Sequence, residues 1–173
     1  MNKKMEEILK QLSGKVVGIG LSNEFVEIIG QNNQIDNFTL MENNSSEKTG
    51  KSGRSRVVHI KKIHKIFKKK KIDFTVVNFN DIEKHIKYFV KNSIFITKQK
   101  IYLYGNINQE QIDNLLRKYN RYQVKSNLSK FGKKTIIEID STNSRNNYFK
   151  DKGYLLFDIL DELLTILSDV LIK

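Results

Sequence analysis

The chain contains no cysteine, so a disulfide framework, a thiolate metal site and a cysteine nucleophile are excluded together. It contains no proline either, so no motif built on a proline pair can occur. No stretch of about 18 uninterrupted apolar residues is present, which removes a membrane-spanning helix from the expectation. The opening residues, Met1-Asn2-Lys3-Lys4-Met5-Glu6-Glu7, carry charge straight into a helical pattern and lack the apolar core of a secretory signal. A cytoplasmic protein with no membrane association is the expectation. Arginine is scarce: of the 31 basic residues only Arg54, Arg56, Arg117, Arg121 and Arg145 are arginines. At 173 residues one core is the default, so residues 1–173 are read as a single domain.

A formal net charge of +12 invites a polyanionic partner, because lysines that neutralise phosphates release condensed counterions. The same lysine excess, in a chain crowded with Asn and Ile, is also what an AT-rich coding sequence produces whatever the function. The distribution of the charge decides between these origins, not its sum.

Val16-Val17-Gly18-Ile19-Gly20-Leu21-Ser22 is a short apolar run that breaks into two glycines, and Phe38-Thr39-Leu40-Met41-Glu42 follows about two dozen residues later. A buried strand ending in glycines lets a ligand approach main chain, and a second strand ending in a carboxylate can hold a ribose. The pair describes a nucleotide-shaped crevice. A dinucleotide site shares the two glycines, but Asn23 stands where a third glycine or alanine should allow close helix packing.

The remaining pattern alternates. Apolar positions Met5, Ile8, Leu9 and Leu12 predict an N-terminal helix within 1–14, stopped by Ser13-Gly14. Lys15 to Leu21 reads as a strand. Ser22 or Asn23 caps a short helix through Ile29, and Asn37 to Glu42 is the second strand. Residues 43–56 are too polar to offset the entropy of packing and are expected to form a flexible loop. Within it, Thr49-Gly50-Lys51-Ser52 looks like the end of a phosphate-binding loop, but Ser45 stands where the first glycine belongs. From Val57 to Lys71 the spacing predicts a helix with Val57, Ile60, Ile63, Ile66 and Phe67 on one face and lysines on the other. With the loop before it, this segment gives Lys51, Arg54, Arg56, Lys61, Lys65, Lys68 and Lys69 as candidate phosphate contacts, or else a merely solvated lysine face.

Ile72 to Asn78 reads as a central strand, Asp81 to Val90 as a helix, and Ser93 to Thr97 as either its extension or a short strand. Lys100 to Tyr104 is a strand, Gln109 to Tyr119 a helix, and Tyr122 to Leu128 with Lys133 to Ile139 an antiparallel hairpin about Phe131-Gly132. Residues 148–173 hold a terminal helix from Tyr154 to Ile172 whose apolar stripe is wider than one core contact requires, so it is either buried between neighbours or a seam for a second copy or a protein partner. Catalytic chemistry is thin. His59, His64 and His85 have no metal-ligand spacing, so no metal is expected, and Asp161-Glu162 and Asp81 with Glu83 fall on predicted solvent faces.

This order of elements describes an α/β fold: a three-layer, mostly parallel, Rossmann-like sheet that ends in an antiparallel hairpin, followed by a C-terminal helix. From Lys15 to Asp140 it resembles the class I methyltransferases that use S-adenosylmethionine, with one strand-helix unit missing or shrunken into the 43–56 loop. The resemblance implies S-adenosylmethionine as cofactor. Gly18, Gly20 and the turn that reaches Ser22 would border its methionine part, Glu42 would hold the ribose hydroxyls, and Asn78 would sit beside the transferring methyl. The chain departs from the family at Val16, where an acid is usual, and at Ser22, where a third glycine is usual. Without proline, the Asn-Pro-Pro-aromatic motif of amino-methylating members is reduced to Asn78-Phe79-Asn80-Asp81. Two functions follow as expectations: methyl transfer to a nucleic acid, or a non-catalytic descendant of the fold that binds nucleic acid or a protein partner.

Overall fold

The computed structural model describes residues 3–42, 56–57 and 67–144. Helix α1 (Lys3–Lys10) buries Met5 and Leu9, the apolar positions of its 3.6-residue period. It hands over to β1 (Gly14–Ile19), helix α2 (Asn23–Gly30) and β2 (Ile35–Glu42). A two-residue strand β3 (Arg56–Val57) precedes β4 (Ile72–Asn78), the short helix α3 (Phe79–Ile82), a 3₁₀ turn and α4 (Ile86–Ile96). Strand β5 (Thr97–Gly105), α5 (Gln109–Asn120), β6 (Lys125–Phe131) and β7 (Lys134–Asp140) complete the described chain.

The strands form one sheet in the order β3-β2-β1-β4-β5-β7-β6. Neighbours from β3 to β5 pair parallel, while β7 is antiparallel to both β5 and β6. Strand alternation divides the core in two. Val16, Phe38, Phe74, Val76 and Tyr102 meet α1 and α2 on one face, whereas Val17, Val77, Ile101, Leu103 and Ile137 meet α3, α4 and α5 on the other. The sheet is thus the middle of three layers, as the sequence pattern predicted.

Several boundaries differ from the sequence reading. Ser93 to Ile96 extends helix α4, and the strand begins at Thr97, so β5 is longer than expected. Arg56 and Val57 are strand, paired with Met41 and Glu42, where a loop and a helix start were expected. Phe67 to Lys71, the expected last turn of a helix, instead forms a bend and a turn in which Lys70 takes a φ of 52°. The rest of the expected basic helix, the 43–55 loop with its phosphate-loop look-alike, and the terminal helix lie outside the described residues. No described helix is long and apolar enough to cross a membrane.

Lys70 explains the turn. The three N–H groups of its ammonium are shared among four acceptors, Thr97 O (2.7 Å), Ser141 O (2.9 Å), Ser141 Oγ (2.7 Å) and Ser144 Oγ (2.8 Å). Burial pushes it down to about 8. A lysine expected on a wet helix face is therefore the tie between the entry to β4, the start of β5 and the chain leaving β7.

Candidate functional site

In a parallel α/β sheet the carboxyl ends of the strands are where loops leave room for ligands. Here that edge gathers the ends of β1, β2, β4 and β5, and with them Gly20, Ser22, Glu42, Asn78 and Tyr104. In β3, Arg56 pairs with Met41 and Val57 with Glu42 at the same edge.

The two glycines have different surroundings. Gly18 lies within β1, not in the turn, and a Cβ added to it would stand 2.5 Å from Leu21 Cδ1 and 3.0 Å from the Phe38 ring. Its missing side chain is filled by the chain's own apolar groups. Gly20 forms the turn, with φ at +61°, and its amide donates to Met41 O at 3.1 Å. Against its Cα lies the side chain of Asp81: a Cβ at position 20 would collide with the carboxylate and stand 2.8 Å from Asp81 Cβ. Asp81 had been expected on a solvent face. Burial instead raises its pKa, and its charge lies close enough to help raise that of Tyr104.

At the same edge a cavity of about 250 Å³ opens, lined by Ser22, Glu24, Phe25, Asn78, Tyr104 and Lys134 among others. Tyr104 is its fixed wall. Its ring packs on Phe25 with centroids 4.7 Å apart, and its phenol is hydrogen-bonded to the Ser22 backbone. Burial and then the Asp81 charge push it up to about 12. Asn78 spends its side-chain oxygen on capping α3, accepting from the Asn80 amide at 3.2 Å. Tyr104, Phe25 and Lys134 escaped the sequence reading because no motif marks them; only the sheet order brings the ends of β5 and β7 to the edge that holds the first glycine turn.

Of the basic candidates that the structure describes, Arg56 lies at this edge in β3, and Lys68 and Lys69 do not. Lys68 and Lys69 are exposed in the turn before β4, at the opposite end of the strand from Asn78, and seven residues of strand separate the ends by about 20 Å. Lys51, Arg54, Lys61 and Lys65 lie outside the described residues. Among the described residues no group of His, Asp and Glu could hold a metal ion.

A parallel run β3-β2-β1-β4-β5 closed by an antiparallel β7-β6 hairpin, with a glycine turn after β1, is the fold of the class I S-adenosylmethionine-dependent methyltransferases. The methyltransferase domain of bacterial CtHen1-CN matches with a TM-score of 0.63 at 9% identity, covering 80% of this chain and 96% of that one. An O-methyltransferase family protein from Burkholderia thailandensis gives 0.60 at 6% identity, covering 80% of this chain and 55% of the other. Spermidine synthase from Thermotoga maritima gives 0.55 at 10%, with 77% and 55% covered. No protein-family model matches the sequence, and no curated protein does. The likeness is one of fold, and a spermidine synthase among the neighbours illustrates that such a fold does not fix the reaction.

S-adenosylmethionine is the group the fold family implies, and the described residues do not fit it as they stand. The glycine turn that should offer bare main chain is covered by Asp81, and Gly18 is packed by Leu21 and Phe38. The cavity of about 250 Å³ is lined by Ser22 and Asn78 but not by Gly18 or Gly20.

Proposed function

We propose that this chain is a methyltransferase-fold protein that does not transfer methyl groups and instead binds a nucleic acid. One observation carries the reading: the Asp81 side chain occupies the approach to the Gly20 main chain. The chain lacks the family's acid at Val16 and third glycine at Ser22, and both departures point the same way. Within a net charge of +12, exposed Lys133 and Lys134 group at the β6-β7 turn, and that grouping favours a polyanion as the partner.

Titration calorimetry of the full chain tests the first half. S-adenosylmethionine is expected to give no saturable heat up to millimolar concentration. Saturable binding would overturn the reading and restore methyl transfer, with Gly20, Ser22, Glu42 and Asn78 as neighbours of the cofactor.

A further inference from the structure

The β6-β7 turn projects from the same carboxyl edge as Gly20 and Asn78, since Thr135 of β7 pairs with Gly105 at the end of β5. Two large apolar side chains among the described residues are exposed, Leu128 and Phe131, and Phe131 belongs to this tip. Lys134 is its partner across the hairpin, so the two side chains share one face. On that face the Lys4 ammonium stands 5.3 Å from the centroid of the Phe131 ring and donates to Ser129 Oγ at 2.8 Å. Exposed Lys133 follows Gly132 in the turn, and Lys134 goes on to line the cavity beside Asn78 and Tyr104. Lys130 points to the other face, where it donates to Gln109 Oε1 at 2.9 Å.

We infer that this tip, with Lys4, Phe131, Lys133 and Lys134, binds single-stranded nucleic acid. Single-strand sites combine cations that follow the phosphates with an exposed aromatic ring on which a base stacks. Phe131 is flanked by two lysines and has one face set against Lys4, which leaves the remaining exposed ring for one planar partner. A membrane surface is the poorer match, because one half-exposed ring buries too little apolar area to anchor a protein. Glu24 lines the cavity, so the phosphate track runs along the tip and not into the pocket. Lys68 and Lys69, at the far end of β4, play no part.

The inference rests on the nucleic-acid half of the reading above and is tested separately from it. Fluorescence anisotropy of the full chain with labelled oligo-dT and oligo-U of about 15 nucleotides reads the affinity. Lys133→Glu with Lys134→Glu is expected to weaken binding more than about tenfold, and Phe131→Ala about tenfold, with Phe131→Tyr close to the parent. Lys68→Glu with Lys69→Glu should change it less than about twofold. All these side chains are exposed or intermediate, and unchanged melting midpoints would show that the variants fold. Tip variants that bind like the parent, or a loss that follows Lys68 and Lys69, would overturn the tip while leaving nucleic-acid binding intact. Absence of oligonucleotide binding in the parent, or binding to phosphatidylserine vesicles alone, would overturn both.

Discussion

At Gly20 a φ of +61° and a carboxylate against Cα fall on one residue. A left-handed conformation costs an ordinary residue about 1–2 kcal/mol before any collision is counted. Gly20→Ala is therefore expected to lower stability in urea by about 2–3 kcal/mol, and adding Asp81→Ala should recover part of the loss. An equal penalty in both backgrounds would show that Asp81 is not the obstacle. Lys70 illustrates the same scale in a different currency, that of hydrogen bonds. Lys70→Met removes the donor to four oxygens and is expected to cost about 1–3 kcal/mol. Its folded pKa of about 8 lies below the ordinary 10.5, so between those values the unfolded chain holds the proton and the folded chain does not. Stability contributed by this group accordingly rises with pH from about 8 to 10.5. Urea midpoints of the parent should climb across that window relative to Lys70→Met; a constant difference would refute the shift.

Helix α5, whose start is set by neighbouring residues, was read accurately, whereas β6 lies three residues later than the Tyr122 to Leu128 expected. Helix α5 begins with a capping box: Asn108 Oδ1 accepts from the Gln111 amide at 2.8 Å, and Gln111 Oε1 accepts from the Asn108 amide at 2.9 Å. Asn108→Ala should cost about 1 kcal/mol, visible as a lowered melting midpoint; no change would mean the cap adds nothing. Where an end depends on distant partners, the reading fell short. Helix α1 is closed by Asn32, whose side-chain NH2 lies 2.9–3.2 Å from Leu9 O, Lys10 O and Leu12 O, 20 to 23 residues back in the chain, not by Ser13-Gly14 alone. The apolar and lysine period running into Lys71 reads as helix, yet Phe67 to Lys71 turns because the Lys70 ammonium is drawn to β5 and β7.

For the whole molecule, the distribution of charge matters more than its total of +12. If Lys4, Lys133 and Lys134 each neutralise one phosphate, the affinity for single strands should fall with a log–log salt slope of about −2, at about −0.7 per contact. A flat salt response would remove the electrostatic basis of the tip. The sequence by itself determined the α/β class, the succession of most strands and helices along the chain, and the glycine turn after β1, because hydrophobic period and turn residues are local properties of the chain. Only the tertiary structure decided what faces that turn. Asp81 comes from beyond β4, Tyr104 from β5 and Lys134 from β7, and it is the pairing of strands far apart in sequence that seats a carboxylate on Gly20 and brings a cationic, aromatic tip to the same sheet edge. Side chains meet through space, and a linear pattern fixes a residue's face on its own element but not its neighbours across the sheet.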